Sequence, residues 1–139
     1  MRFCVFLFAI LGAALWAADG PIAPAPATVH GKLIVHEGQP AQVQTAGGLV
    51  RLDGDDDTRK ILGDARLNGF QVEARGHFTA PGQFLIDPIH THSFLVRQGG
   101  KLKLVTYWCD ICSIRAYTPG PCVCCQRETT LDLRDPDQP

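Results

Sequence analysis

The sequence predicts a mainly β protein: a small β-barrel with one short helix, followed by a cysteine-rich knuckle at the C-terminal end. Three observations lead to this prediction. Short apolar runs separated by glycine and proline fill residues 29–106, as in strands joined by turns. Apolar and polar residues alternate strictly from Phe70 to Phe78, and five cysteines lie within residues 109–125.

The N-terminal segment has the pattern of a secretory signal peptide. Arg2 precedes an uncharged apolar run that ends in small residues at Ala18. This run is shorter than the roughly 20 residues of a membrane-spanning helix. We therefore expect residues 1–18 to be removed, leaving a secreted or periplasmic protein without a stable membrane anchor, and residues 19–28 to form a linker rich in proline and alanine.

The strand pattern is clearest in the middle of the chain. Period-two alternation directs one set of side chains to a core and the other to water. The set expected in the core is Phe70, Val72, Ala74, Gly76 and Phe78, and the set expected in water is Gln71, Glu73, Arg75 and His77. A hairpin is expected at Gln98-Gly99-Gly100, because glycines supply the positive φ angles of tight turns.

One short helix interrupts the strands. Asp57 can cap residues 58–62, and Gly63 can end the helix. Several short strands with one helix favour a closed barrel, since closure removes exposed strand edges. The order of elements is similar to an OB fold over residues 29–106; an SH3-like barrel or a small sandwich is the alternative. A last strand is expected at residues 129–133, within or beside a tail at 130–139.

The cysteines form two CxxC hooks, Cys109-x2-Cys112 and Cys122-x2-Cys125. Two such hooks suit a tetrahedral ion, because each short loop directs two thiolates to one point. Pro119-Gly120-Pro121 supplies the reversal between them. The spacing predicts a zinc-ribbon-like Cys4 knuckle at residues 107–129, with Zn²⁺ expected first and Cu(I) as the alternative. Disulfides remain a competing interpretation in an oxidising compartment.

This segment resembles the heavy-metal-binding domain of copper-transporting P-type pumps and of some metal-efflux adaptors. Its residues match that pattern at Tyr107, Cys109, Pro119, Gly120, Cys122 and Cys125, and Cys112 stands where the family has histidine. The resemblance covers about 20 residues and implies metal capture in the cell envelope. Gln126 and Arg127 replace the Gly-Met of the family, and without the methionine thioether an all-thiolate set suits zinc as well as copper.

Other residues are weaker candidates. Cys124 is an additional thiol, read first as a small buried apolar residue and otherwise as a further ligand or exchanging thiol. Arg115 and Arg127 flank the hooks and are candidates to donate hydrogen bonds to the thiolates. His90 and His92 would share one face if this segment is an extended strand, although Pro88 and Thr91 favour a loop equally, and the pair is a weak second metal candidate.

The functional expectation is a metal-binding protein and not an enzyme. Its role is either structural or metal capture, with a protein partner in the envelope as a further possibility. One alternative is a thiol–disulfide redox protein using Cys109 and Cys112, because Trp108 and these cysteines form a Trp-Cys-x-x-Cys motif; the other is an OB-like binding module with a purely structural metal. The formal net charge of −1 disfavours nucleic-acid binding.

Overall fold

The computed structural model describes residues 23–138. Strands contain 48% of the residues described and helices 12%, which confirms a mainly β fold. The strands described are β1 (Ala27–Ile34), β2 (Gln42–Thr45), β3 (Gly48–Asp53), β4 (Gln71–Ala80), β5 (Gln83–Ile86), β6 (Phe94–Gln98), β7 (Lys101–Cys109), β8 (Ile114–Ala116) and β9 (Thr130–Arg134). The helices described are α1 (Asp56–Leu62), a 3₁₀ helix at Ala65–Leu67, and the four-residue α2 (His90–Ser93).

The first five strands close into a barrel in the order β1-β2-β3-β5-β4-β1, which confirms the OB-like prediction. β1 closes the circle by pairing with β2 on one edge and with β4 on the other, while β3 and β5 run parallel. Two glycines permit the close strand contacts. A Cβ at Gly31 would overlap the carbonyl oxygen of Gln44, and one at Gly76 would overlap that of Leu85.

The core lies inside this barrel and continues under β6 and β7. The fully buried side chains of this core come from nearly every element and include Leu33, Val43, Ile61, Leu67, Phe84, Ile86, Phe94, Val96 and Tyr107. The helix after β3 contributes Ile61 and Leu62 to this core. The helical segment between β3 and β4 is therefore packed against the barrel by its apolar face.

The alternation predicted for β4 is confirmed in part, with two exceptions. Val72, Ala74 and Gly76 are buried, whereas Phe78 is 46% exposed near the end of the strand. Glu73 was expected in water and is instead buried, because Arg75 donates to its carboxylate at 2.7 Å. Ion pairing of this kind offsets the cost of burying a carboxylate.

The predicted helix is present, but its N-cap lies two residues earlier than expected. The carboxylate of Asp55 accepts a hydrogen bond from the Thr58 backbone N–H at 2.8 Å, so the prediction of Asp57 as the cap is wrong. Asp57 lies in the first turn and pairs with Lys60. Gly63 ends the helix as predicted.

Strands β6 to β9 extend the sheet beyond the barrel. β6 pairs with β4 beside β5, and β7 follows through a hairpin whose Gly99 and Gly100 have φ angles of 58° and 78°. β7 then pairs with β8 and with β9, the latter close to the predicted last strand. β7 runs unbroken across the predicted boundary between the barrel at residues 29–106 and the knuckle at residues 107–129. The division into these two parts stays a prediction.

The predicted signal peptide at residues 1–18 lies outside the described residues. β1 begins at Ala27, so the last two residues of the predicted linker are part of a strand. Within residues 23–138, none of the helices has the length and apolar character needed to cross a membrane.

Candidate metal centre

The two cysteine hooks lie at the end of the β7–β9 ribbon. Cys109 is the last residue of β7, and Cys112 follows in the turn that leads to β8. Cys122 and Cys125 lie in a second turn, which is closed by pairing of Pro121 with Glu128. Within that turn the Cys122 N–H donates to the Arg127 carbonyl at 2.7 Å, and its own carbonyl accepts from the Gln126 N–H at 2.9 Å.

The four hook sulfurs converge on one point. Their Sγ atoms all lie within 4.8 Å of one another, and those of Cys109 and Cys125 are 3.5 Å apart. Four sulfurs at about 2.3 Å from a tetrahedral ion are separated by about 3.8 Å. All five cysteines from Cys109 to Cys125 are free, with none in a disulfide. Cys109, Cys112, Cys122 and Cys125 are therefore close enough together to bind a metal ion.

Each hook offers backbone N–H groups to its first sulfur. The sulfur of Cys109 accepts from the N–H groups of Cys112 and Ile111, and that of Cys122 from those of Cys125 and Cys124. Successive N–H groups aimed at one atom form a concave site that favours an anion. Both hooks are thus arranged to hold a thiolate at their first cysteine.

The pKa values of the thiols differ with their surroundings. The backbone N–H groups of Cys125 and Cys124 lower the pKa of Cys122 to about 7. At Cys109 the N–H of Cys112 also lowers the pKa, but burial and the neighbouring thiols outweigh it, and the net pKa is raised. The pKa of Cys112 is raised, chiefly by the neighbouring thiols of Cys124 and Cys125. Cys122 is therefore the first of these three to become a thiolate.

The same backbone conformation ends each hook. Ser113 follows Cys112 with φ of 53°, and Gln126 follows Cys125 with φ of 60°. Both angles are in the left-handed region, where glycine is favoured and other residues are strained. Each hook is thus followed by a residue in the left-handed region.

Exposure increases from one side of the centre to the other. Cys109 and Cys122 are 2% and 3% exposed, while Cys112 and Cys125 are half-buried. Cys124 is exposed, so the first interpretation of it as a buried apolar residue is wrong. The fifth thiol is therefore open to solvent, in the same turn as Cys122 and Cys125.

The predicted arginine roles are not reproduced by the contacts of Arg115. Its guanidinium donates to Asp132 at 3.1 Å and lies 5.2 Å from the centre of the Trp108 ring. Arg127 has an exposed side chain and contributes its backbone carbonyl to the second hook. Among the described contacts, these groups stabilise the ribbon and the turn, and donation to sulfur stays a prediction for both.

His90 and His92 lie on the short helix α2, so the expected extended strand is wrong. Helix geometry places residues two apart on different faces. His90 is buried, and burial lowers its pKa, whereas His92 is exposed. Within residues 23–138, the groups of three or more metal-binding side chains that lie close together consist of the four cysteines alone.

Two residues that support the ribbon, Asp64 and Arg66, were not found from the sequence. Tyr107 donates a hydrogen bond to Asp64 at 2.9 Å, and Arg66 lies against the Tyr107 ring at 5.0 Å. Arg66 also donates to the Thr129 carbonyl at 2.8 Å. These contacts join the segment after α1 to β7 and to the residue that precedes β9. No local pattern indicates them, because the partners are 43 and 63 residues apart.

Comparison with known proteins adds no family assignment: no protein-family model, curated protein or solved structure matches the chain significantly. The similarity to the heavy-metal-binding domain therefore stays a resemblance over the cysteine segment.

Proposed function

We propose that this chain is an exported metal-binding protein in which Cys109, Cys112, Cys122 and Cys125 hold one Zn²⁺ ion. The observation that carries the proposal is the convergence of four sulfurs from two hooks within 4.8 Å. The donor set agrees with zinc, which forms closed tetrahedral sites with four thiolates. Cu(I) is the alternative ion, because soft thiolates bind it as well.

A structural role for the ion is supported by the packing of the ribbon end. Among residues 109–129, the buried side chains are those of Cys109, Cys122 and Thr129. Such a segment has no apolar core of its own, and small segments of this kind depend on a metal to order them. The ion would hold the end of the ribbon together, with Tyr107 anchoring its base in the barrel core.

The redox alternative has less support. A catalytic CxxC needs an accessible first cysteine with a lowered pKa. Cys109 is buried at the end of a strand, and its pKa is raised. The other alternative, a barrel that binds a protein partner while the metal is purely structural, is compatible with the OB-like topology. Export rests on the apolar N-terminal sequence alone.

Native mass spectrometry of the chain exported by a bacterial host tests the proposal. We expect one zinc ion per chain, five reduced cysteines and an N-terminus created after residue 17 or 18. The Cys109→Ser variant should lose the ion, while Ser113→Ala, which changes a neighbouring residue without a thiol, should retain it. A metal-free chain with two disulfides would contradict metal binding. An uncleaved cytoplasmic chain would contradict export only, and copper that exchanges rapidly with a chelator would favour the capture role.

A further inference from the structure

A groove of about 380 Å³ lies on the face of the ribbon that points away from the barrel core. Tyr107 points into the core, so alternation along β7 directs its neighbour Trp108 to the opposite face. Strand pairing places Arg115 of β8 and Thr130 of β9 opposite Trp108, and residues paired in this way point to the same face. The groove is therefore lined from all three strands, by side chains that include Trp108, Arg115, Asp132 and Arg134.

The groove carries more positive than negative charge. Its lining contains two cations, Arg115 and Arg134, and one carboxylate, Asp132. Nη2 of Arg115 donates to Oδ2 of Asp132 at 3.1 Å, whereas Nε of Arg134 is 3.9 Å from the same oxygen, which is too far for a hydrogen bond. One carboxylate thus lies near two guanidinium groups and is hydrogen-bonded to one of them. A monoanion bound in the groove would balance the second positive charge.

Both guanidinium groups also have a donor without an acceptor. The Nε atoms of Arg115 and Arg134 are buried, and neither has a hydrogen-bond partner among the described residues. Buried donors are normally paired, so an acceptor oxygen brought by a ligand would stabilise them. A carboxylate suits this role, because it accepts two parallel N–H bonds from one guanidinium. The side chain of Arg134 is 43% exposed, so a rotation between staggered conformers can turn its donors toward such a ligand.

An apolar cavity of about 330 Å³ lies beside the groove. Leu104, Tyr117 and Pro136 contribute to its lining. Leu104 of β7 pairs directly with Arg134 of β9, so these two side chains are neighbours on the same face of the ribbon. The face therefore presents a cationic part and an apolar part next to each other. Small-molecule sites commonly combine an apolar lining with a few polar groups that fix the orientation of the ligand.

We propose that this face of the ribbon binds an organic acid, with the carboxylate held by Arg115 and Arg134 and an attached apolar group packed against Leu104 and Tyr117. A phosphate dianion fits less well, because the lining has an excess of one positive charge and Asp132 would repel the second negative charge. The carboxylate can belong to a free acid or to the C-terminus of a peptide, since both offer the same group. The site is separate from the four cysteines, and the inference does not depend on a bound ion.

Fluorescence titration of the exported full chain tests the site. Trp108 is the only tryptophan after residue 18, so its emission reports directly on the groove. The probe is decanoate below its micelle concentration, and decanol is the uncharged probe with the same apolar chain. We expect decanoate to change the emission in a saturable way and to bind about tenfold or more tightly than decanol, because only the acid forms charged hydrogen bonds.

Substitution of the two arginines identifies the groups that hold the carboxylate. Arg134→Gln and Arg115→Gln should each weaken decanoate binding about tenfold or more and leave decanol binding unchanged. Arg97→Gln is the matched control, because it removes one positive charge from an exposed position of β6 and should bind decanoate as the wild type does. If Arg115→Gln fails to fold, Arg134→Gln decides the question, since its side chain is 43% exposed against 19% for Arg115.

A tripeptide ending in phenylalanine, with a free or an amidated C-terminus, distinguishes the two sources of the carboxylate. Tighter binding of the free peptide than of its amide and of decanoate would support a peptide C-terminus, whereas tighter binding of decanoate would support a free acid. Equal binding of decanoate and decanol would overturn the inference, as would wild-type affinity in both arginine variants. Absence of binding by decanoate and by the free peptide would overturn it as well.

Discussion

The phenolic oxygen of Tyr107 donates a hydrogen bond to Oδ2 of Asp64 at 2.9 Å, across 43 residues of chain. Tyr107 lies two residues before Cys109 and is fully buried in the core. Asp64 in turn accepts from Arg66, which reaches the carbonyl of Thr129 on the other side of the hooks. The base of the ribbon is therefore tied to the segment that follows α1, and the hooks project from a fixed support.

Tyr107→Phe tests this support. The change removes the phenolic donor and leaves a buried carboxylate oxygen with one fewer partner, which costs about 1–3 kcal/mol of unfolding free energy. Urea unfolding followed by fluorescence measures this loss. Tyr117→Phe is the matched control, because Tyr117 is 43% exposed and its loss should change stability by less than about 0.5 kcal/mol. Equal stability of the Tyr107 variant and the wild type would show that the bond contributes nothing.

The lowered pKa of Asp64 predicts how the stability of the protein depends on pH. Burial alone raises its pKa, but hydrogen bonds from the side chain and backbone of Arg66 and from Tyr107 outweigh burial and hold the pKa below the ordinary 3.8. A lowered pKa in the folded state stabilises the protein above the unfolded value, and this contribution disappears as pH falls through the folded value. We expect the wild type to have a larger free energy of unfolding than Asp64→Asn at pH 6. Urea unfolding measured at a series of pH values should show the two free energies converging below about pH 3–4. A constant difference across that range would contradict this assignment.

Local patterns explain what could be predicted from the sequence. Alternation along β4 and paired glycines at the β6–β7 turn depend on neighbouring residues, and both are found in the structure. The hooks were recognisable because two CxxC spacings with a reversal between them bring four sulfurs together with little freedom. These features need no knowledge of distant contacts.

The remaining features depend on local choices that the spacing of residues leaves open. Asp55, Asp56 and Asp57 can each cap a helix, and the burial of Thr58 selects the register in which Asp55 is the cap. Glu73 is buried because a strand neighbour, Arg75, pairs with it. The exposure of Cys124 follows from the direction of one turn residue, which spacing alone does not specify.

Gly76 provides a test of barrel closure. Its missing side chain lets β4 approach β5, since a Cβ there would overlap the backbone carbonyl of Leu85. Backbone cannot move aside as a flexible side chain can, so Gly76→Ala should destabilise the barrel by about 2–4 kcal/mol. Gly38→Ala is the control for a glycine with open space around it, although its φ of 72° adds a strain of about 1 kcal/mol. Thermal unfolding compares the two; a smaller loss at Gly76 would show that the strands can separate without cost.

The left-handed residues that end the hooks predict stabilising substitutions. Gln126 holds a φ of 60° that glycine adopts without strain. Relief of that strain should exceed the added entropy of the unfolded chain, so Gln126→Gly should stabilise the zinc-bound protein by about 0.5–1 kcal/mol. Gln126→Ala is the matched control, because it removes the hydrogen bond from the Gln126 amide to Val123 but retains the Cβ. Zinc affinity and melting temperature are the measurements, and a Gly variant no better than the Ala variant would contradict the strain argument.

Removal of the metal should separate the ribbon end from the barrel. Residues 109–129 bury few side chains besides the cysteines, whereas β1 to β5 enclose an apolar core that includes Leu33 and Phe84. A chelator should therefore abolish amide hydrogen-exchange protection in the two turns at residues 110–113 and 122–126, because few buried side chains besides the cysteines order them. Protection in β1 and β4 should change less than about tenfold, since those strands pair with each other independently of the hooks. Loss of protection throughout the chain would mean that the barrel itself depends on the ion, and unchanged protection in both hooks would mean that the turns are ordered without it.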